Sequence, residues 1–182
     1  ISINYKGSLI KNWFEKNPIN GAQIYYIEEK EFLGTAGALS LLPQVPLNPF
    51  IVINGDIISP INFGSLLEFH QQSHNSMTLC TREFNFQVPY GVLKIIGSKL
   101  VSIEEKPSQN IFINAGIYVI NPELLNYIPQ NIKFDMPELI NVLIKEGKEV
   151  GCFPLSDYWL DICPPLDYVK ADEELKENNE KV

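Results

Sequence analysis

The sequence predicts an α/β fold whose first half alternates strands and helices and whose second half carries a strand-rich insertion. Residues 50–53 form a short, wholly apolar run, which is typical of a strand in a sheet covered on both faces. A helical pattern at 63–72 follows, and this alternation is the βαβ rhythm of a parallel sheet. Four further strand patterns then succeed one another with short turns such as Gly97-Ser98, which favours antiparallel pairing; they lie at 77–83, 91–96, 100–105 and 111–120.

The remaining elements of the first half follow from local patterns. Residues 2–5 are typical of the end of a strand, and apolar residues at i, i+1, i+4 and i+5 predict a helix over 7–16. The β-rich run 22–27 predicts a strand, and the small residues from Gly34 open a short helix ending near Leu42.

Two helix starts are marked in the second half. Asn121 precedes a proline and is expected to cap a helix, and Asp135 with Glu138 forms a capping-box pair before an apolar stripe. Short strands and a last helix complete the pattern, at 150–153, at 159–162 and from Pro165. We expect one domain over 1–170 and a charged helix end or tail over 171–182.

Composition excludes several classes of protein. The 182 residues carry 14 Lys and Arg against 22 Asp and Glu, a net charge of −8, and 45% hydrophobic residues, so the chain is globular and not disordered. Arg82 is its only arginine and no basic stripe exists, which argues against a nucleic-acid partner. No apolar run is long enough to span a membrane, and no signal peptide is visible. The three cysteines favour a reducing, cytoplasmic location.

The first candidate binding segment lies at a loop-to-helix junction. It comprises Leu33, Gly34, Thr35, Ala36 and Gly37. Glycines there let backbone N–H groups approach a ligand, and a helix N-terminus carries partial positive charge. The same residues also suit a loop that needs small side chains for close packing, and both interpretations stay open. No Gly-Lys-Ser/Thr follows, so the segment is not a P-loop.

Two acidic residues are candidates for holding a cation. Asp56 follows the apolar strand within Asn54-Gly55-Asp56, and ligands of open α/β sheets bind beyond the carboxyl ends of strands. The same tripeptide is also good turn chemistry. Asp161 is flanked by bulky apolar residues, so its carboxylate needs either a cation or a structural partner.

Three further positions in the strand-rich half are candidates for ligand contact. Lys106 ends a strand after Glu104-Glu105 and precedes a proline that restricts its backbone; it suits either a substrate phosphate or a salt bridge. In Asn114-Ala115-Gly116 a polar residue interrupts an apolar strand, and a glycine inside a strand marks close approach of another group. Tyr90-Gly91 has the same character.

Other catalytic constellations are absent from the sequence. His70 and His74 have a metal-like i, i+4 spacing but no further ligand, so we expect them on a solvated helix face. The cysteines form no Cys-x-x-Cys pair, and no Gly-x-Ser-x-Gly nucleophile elbow exists.

Six motifs, taken in order, resemble the sugar-1-phosphate nucleotidyltransferase family over nearly the whole chain. Residues 112–120 and 134–137 look most like the branch of guanylyltransferases that act on mannose-, heptose- or glucosamine-type sugar phosphates. The motifs are Leu33–Ala38, Asn54–Asp56, Pro89–Val92, Glu105–Pro107, Asn114–Tyr118 and Trp159–Ile162.

The resemblance implies a Rossmann-like three-layer α/β/α fold with a mixed sheet and a β-rich sugar-binding insertion. It implies an NTP, with GTP favoured, and a sugar 1-phosphate as substrates, and Mg²⁺ held by Asp56 and Asp161 as cofactor. Lys106 would bind the sugar phosphate. The nucleotide would contact Leu33, Gly34, Thr35, Ala36, Gly37, Asn54 and Gly55, and the sugar Tyr90, Gly91, Glu105, Asn114, Ala115 and Trp159.

The chain departs from the family pattern at two places. The family begins with a strand and a glycine-rich loop that cradles the triphosphate, and no part of these 182 residues matches that loop. We therefore expect a missing upstream segment, little activity from these residues alone, and an exposed sheet edge that favours homo-oligomers. Cys163-Pro164-Pro165 replaces the usual glycine after the Trp-Leu-Asp-Ile run and would alter how Asp161 is presented. The alternative is a non-catalytic nucleotide- or sugar-phosphate-binding regulatory domain of the same fold.

Overall fold

A computed structural model describes residues 1–156 and 158–162, and it confirms an α/β fold. Four α-helices are present in this part of the chain: α1 (Gly7–Lys16), α2 (Gly34–Gly37), α3 (Phe63–Gln72) and α4 (Met136–Lys145). Two 3₁₀-helices cover Ala38–Leu41 and Pro122–Tyr127. The predicted last helix and the tail 171–182 lie outside the described residues, as does Cys163.

Within residues 1–156 and 158–162, ten strands form four sheets, and the strand pairs include both parallel and antiparallel ones, as expected. The largest sheet has the order β3-β8-β5-β9. The strand β1 pairs in parallel with β2, whereas β4 pairs antiparallel with β10 and β6 antiparallel with β7. The strands are β1 (Ser2–Ile3), β2 (Ile27–Glu28), β3 (Phe50–Ile53), β4 (Ile57–Ile58), β5 (Met77–Gln87), β6 (Gly91–Ile96), β7 (Lys99–Glu105), β8 (Ser108–Ile120), β9 (Val150–Pro154) and β10 (Leu160–Asp161).

The chain divides into two compact units. The first comprises Ile1–Val52, Leu67–Thr78 and Val119–Gly151. The second comprises Ile53–Leu66, Leu79–Tyr118 and the described residues from Cys152 to Ile162.

The helix α4 contributes several residues to the core of the first unit. Met136, Leu139 and Leu143 recur at helical spacing and are fully buried, so this helix turns one apolar stripe inward. The predicted capping-box pair is confirmed, because the backbone N–H of Asp135 donates to the Glu138 carboxylate at 2.7 Å.

In the second unit, the inner half of β8 supplies much of the core. Ala115, Ile117 and Tyr118 are at most 2% exposed, together with Cys80 on β5. The predicted β6–β7 hairpin is confirmed: Gly91 lies opposite Glu105, and Ile96 opposite Lys99. Gly97, with φ +61°, is the first residue of the two-residue turn, where type II′ turns place glycine.

Three predictions in the first unit were wrong: the strand over 22–27, the side-chain cap by Asn121, and the solvated position of His70. Only Ile27 of the run 22–27 is in a strand, because β1 offers just a two-residue parallel partner. Asn121 makes no side-chain cap and begins a 3₁₀-helix; its side chain instead pairs with His70 and donates to the Asn75 carbonyl at 3.3 Å.

His70 lies in the core and not on a solvated face. It is 2% exposed, with Nδ1 at 2.9 Å from Thr78 Oγ1 and Nε2 at 3.0 Å from Asn121 Oδ1. His74 follows the end of α3 with φ +53°, so the two imidazoles do not share one helix. A buried histidine with both ring nitrogens partnered is structural.

The predicted apolar stripe of α1 is largely exposed within its unit. Leu9 is 59% and Trp13 56% accessible, and the ring of Trp13 packs edge-on against Phe14. Among the described helices, none has both the length and the apolar character that crossing a bilayer requires.

Candidate active site

The segment 33–37 belongs to the first unit and packs tightly against residues 132–135. Gly34 has φ +80°, and a Cβ at this position would overlap Asp135 Oδ1 and lie 2.8 Å from the Phe134 carbonyl oxygen. A Cβ at Gly37 would lie 2.9 Å from the Ile132 carbonyl oxygen. Both glycines are therefore required by close packing, which was one of the two interpretations of this segment.

The backbone N–H groups of this segment are used inside the protein. Thr35 N–H donates to Asp135 Oδ1 at 2.9 Å, and the N–H groups of Ala36 and Gly37 donate to the Phe134 carbonyl at 3.0 and 2.8 Å. These donors are thus already partnered. Leu33 and Ala36 are buried and Thr35 is exposed. Nucleotide contact by this segment stays a prediction, and it would need atoms other than these three N–H groups.

The structure brings the two candidate metal-binding aspartates onto neighbouring chain segments of the second unit. β4 begins directly after Asp56 and pairs with β10, which ends at Asp161; Asp161 lies opposite Ile57. The Ile162 N–H donates to the Asp56 carbonyl at 2.9 Å, so the ladder continues past the pair. Neighbouring strands lie about 4.8 Å apart, so the two aspartates lie on adjacent backbones, and their sharing of one ion stays a prediction.

The surroundings of the two carboxylates differ. Asp56 lies in a turn and is exposed, and therefore the pleat of β4 does not dictate its direction. Asp161 is half-buried and its Oδ1 atom is fully buried. Two hard carboxylates match what Mg²⁺ takes from protein, since phosphate oxygens and water complete its shell. The described residues contain no cluster of three or more His, Cys, Asp or Glu that could hold a metal ion.

Gly116 and Ala115 lie on β8, an interior strand of the largest sheet, and form hydrogen bonds with the segments that carry Asp56 and Asp161. The Asn54 N–H donates to the Gly116 carbonyl at 2.9 Å, and a Cβ at Gly116 would come within 2.9 Å of Asn54 Nδ2. The close approach predicted from a glycine inside a strand is thus confirmed. On the other side, Trp159 Nε1–H donates to the Ala115 carbonyl at 2.8 Å, anchoring the segment that leads into β10.

Two of the predicted sugar-binding residues have roles inside the protein. Ala115 is fully buried. The Asn114 side chain donates to Tyr118 Oη at 2.6 Å and accepts the Gly116 N–H at 3.1 Å, so its amide shapes the chain around Gly116. Contact of these residues with a sugar stays a prediction.

Three further predicted sugar-binding residues lie together with Lys106 at the open end of the β6–β7 hairpin; they are Tyr90, Gly91 and Glu105. Gly91 pairs with Glu105, whose carboxylate lies 3.0 Å from where a Gly91 Cβ would stand. Lys106 N–H donates to the Tyr90 carbonyl at 3.3 Å. Tyr90, Glu105 and Lys106 are all exposed.

Lys106 has an unusual backbone conformation. Its φ is +46°, in the left-handed region that non-glycine residues seldom adopt, whereas the following Pro107 is buried. The Val88 N–H donates to the Pro107 carbonyl at 3.0 Å, and Gln87 Nε2 donates to the Lys106 carbonyl at 3.1 Å. Backbone strain of this kind, held by neighbouring hydrogen bonds, clusters at functional sites.

Asp135 and Phe134 are the residues that sequence reasoning did not connect with the site. Asp135 was interpreted as a helix cap and as part of the motif 134–137, and its contact with Thr35 spans 100 residues of sequence. No local pattern could have revealed that contact.

The chain is similar to known proteins over most of its length. The profile of the nucleotidyl transferase family matches residues 1–178, and the chain belongs to this family. It is 30% identical to the mannose-1-phosphate guanyltransferase of Saccharomyces cerevisiae over 94% of this chain and 50% of that protein. It is 32% identical to the corresponding protein of Yarrowia lipolytica, over 94% of this chain and 49% of that protein.

Solved structures confirm the Rossmann-like nucleotidyltransferase fold. HddC from Yersinia pseudotuberculosis superposes with a TM-score of 0.71 at 30% identity, over 96% of this chain and 76% of that one. HddC complexed with GMP-PN gives the same TM-score at 28% identity, over 95% and 76% of the two chains. The chain spans about half the length of the curated relatives it matches.

Proposed function

We propose that the protein transfers a nucleoside monophosphate from an NTP, with GTP favoured, to a sugar 1-phosphate, releasing pyrophosphate. The observation that carries the proposal is the β4–β10 pairing, which sets Asp56 beside the end of the strand that carries Asp161. Family membership and the likeness to mannose-1-phosphate guanyltransferases support the choice of substrates. HddC, which is similar in fold and sequence, has been solved with GMP-PN, and this supports GTP.

The reaction needs charge neutralisation more than proton transfer. A phosphate oxygen of the sugar phosphate is already anionic at neutral pH; it attacks the α-phosphorus, a P–O bond forms, and the bond to pyrophosphate breaks. The barrier is the repulsion between two anions. Lys106, exposed and held in one backbone conformation, would bind the incoming phosphate as a point charge.

Asp56 and Asp161 would hold Mg²⁺ in this scheme. Bound there, Mg²⁺ supplies positive charge to the phosphate oxygens of the nucleotide. Nucleotide contacts are assigned to the segment Leu33–Gly37 and to Asn54 and Gly55. The exposed open end of the β6–β7 hairpin is assigned to the sugar ring, with Gly91 leaving room beside Glu105.

The domain organisation and location follow the same proposal. Residues 1–170 would form the catalytic domain, with 171–182 as a tail. Cys80 and Cys152 are both free thiols, which supports a reducing, cytoplasmic location.

The test is pyrophosphate release by the full-length protein with GTP, CTP, UTP or dTTP, a panel of sugar 1-phosphates, and Mg²⁺. We expect turnover with GTP. In Asp56→Asn and Asp161→Asn we expect kcat to fall at least ~100-fold, which is the usual effect of removing one group that stabilises charge in the transition state. Glu123→Gln, which neutralises an exposed carboxylate in the first unit, is the matched control and should retain full activity. Nucleotide binding without turnover would favour the regulatory alternative, and no binding of any NTP would refute both.

A further inference from the structure

Residues 134–136 impose the conformation of the proposed nucleotide-binding segment. The helix α2 is only four residues long, and a helix of this length is not stable by itself. Its N-cap, Leu33, offers no side-chain hydrogen bond, so its first N–H groups need partners from elsewhere. Asp135 Oδ1 and the Phe134 carbonyl supply these partners at 2.8–3.0 Å.

The connection is reciprocal. Asp135 accepts the Thr35 N–H at the start of α2, while Thr35 Oγ1 accepts the N–H of Met136, the first residue of α4, at 2.8 Å. Each residue thus caps the other's helix across a sequence separation of 100 residues. The Phe134 N–H closes the connection by donating to the Leu33 carbonyl at 2.8 Å.

Two glycines of the segment pack closely against residues 132–135. Gly34 is in the left-handed region with the Asp135 carboxylate directly against its Cα, and Gly37 packs on the carbonyl of Ile132. The other contacts of Asp135 are also within the protein: its Oδ2 lies 3.9 Å from Lys133 Nζ, its side chain accepts the backbone N–H of Glu138, and its own N–H donates to the Glu138 carboxylate.

We infer that Asp135 is a positioning residue that fixes the nucleotide-binding segment through Thr35. The inference rests on the proposed function. The inference extends that proposal, because it assigns part of the nucleotide affinity to the Asp135 carboxylate, which acts through Thr35 and not by contact with a substrate. Preorganisation of this kind lowers the ordering cost of binding, and its loss appears in the affinity for the ligand that the segment contacts. Affinity for the other substrate should not change.

The experiment compares Asp135→Ala, Asp135→Asn and Glu138→Ala in the full-length protein. Losing one hydrogen bond to a charged group corresponds to about tenfold, so Asp135→Ala should raise KM for GTP about tenfold. KM for the sugar 1-phosphate should stay unchanged. Asp135→Asn keeps an acceptor oxygen and should restore most of the affinity. Glu138→Ala removes one half of the capping box of α4, its side-chain bond to the Asp135 N–H, but no contact to the segment, so it should lower Tm without changing KM for GTP.

A second readout does not depend on activity. Amide hydrogen exchange of Thr35, Ala36 and Gly37 should become faster in Asp135→Ala and remain slow in Glu138→Ala. Asp135→Glu, which keeps the charge but displaces the carboxylate, replaces the alanine variant if that variant does not fold.

The outcomes separate the two claims. A wild-type protein that binds GTP, with KM and amide exchange unaffected in Asp135→Ala, would overturn the inference and leave the proposed function standing. Equal rises in both KM values would also overturn the inference, since they indicate a general structural role. A wild-type protein that binds no nucleotide would refute the proposed function and the inference with it.

Discussion

Replacing Gly116 with alanine tests how the sheet holds the segment that carries Asp56. Gly116 is buried with φ +71°, and a Cβ there would meet Asn54 Nδ2 at 2.9 Å and Ile57 Cγ1 at 3.2 Å. The substitution therefore adds two separate costs, a left-handed backbone for an L-residue and a contact that forces the Asn54 side chain to move.

The size of each cost follows from general measurements. Left-handed backbone costs an L-residue about 1–2 kcal/mol. Moving Asn54 off its rotamer costs about 1 kcal/mol, since its amide is the mobile end of a short side chain. Alanine recovers about 0.5 kcal/mol through the stiffer unfolded chain. We expect a net loss of about 2 kcal/mol, and for a chain of this size a fall in Tm of about 4–8 °C.

Two other glycines separate the two costs. Gly97 has φ +61° and no atom lies within 4 Å of where its Cβ would stand, so Gly97→Ala carries the backbone strain alone. Gly55 has neither a positive φ nor a close neighbour, so Gly55→Ala should leave Tm unchanged or slightly higher. Thermal unfolding should rank the losses as Gly116 above Gly97 above Gly55. If Gly116→Ala lowers Tm no more than Gly97→Ala, the contact with Asn54 is not a real constraint and the reasoning fails.

Three further predictions concern side chains of the second unit. Trp159→Phe removes the indole N–H from the buried Ala115 carbonyl and should lower stability by about 1–2 kcal/mol in urea unfolding; an unchanged midpoint would contradict the anchoring role. Lys106→Ala in the full-length protein should abolish use of the sugar phosphate while GTP affinity, measured by calorimetry, is kept; Lys94→Ala, an exposed lysine of β6, is the control, and equal loss of both substrates would make the assignment wrong. Burial raises the pKa of the Cys80 thiol to about 12, so the folded state favours the neutral thiol; this contribution is complete below about pH 9 and is lost as pH rises toward 12. Stability measured from pH 8 to 10.5 should therefore fall less in Cys80→Ala than in the wild type, and parallel curves would exclude the thiol as a cause.

Much of the secondary structure could be predicted, because it is stabilised by interactions between residues that are close in the sequence. Apolar spacing predicted α1 and α3 at their observed bounds, since a helix buries one stripe every 3.6 residues. The capping pair before α4 and the hairpin turn at Gly97 depend on a few consecutive residues, and both were confirmed.

Other features depended on partners distant in the sequence. Nothing near His70 indicated that Thr78 and Asn121 would take both ring nitrogens, and so a core residue was interpreted as a surface one. The same limit applies to the segment 33–37. Its glycines indicated close approach, but only the fold showed that a carboxylate and a carbonyl, and not free space, lie against them.

Motif order and residue type alone were sufficient to indicate the family and to name the acidic pair and the lysine as candidates, because reaction chemistry restricts which side chains can serve. The tertiary structure alone decided that β10 pairs with β4 and that Asp135 meets Thr35. Such pairings are selected by the register and packing of whole elements, and their energy belongs to no single stretch of chain.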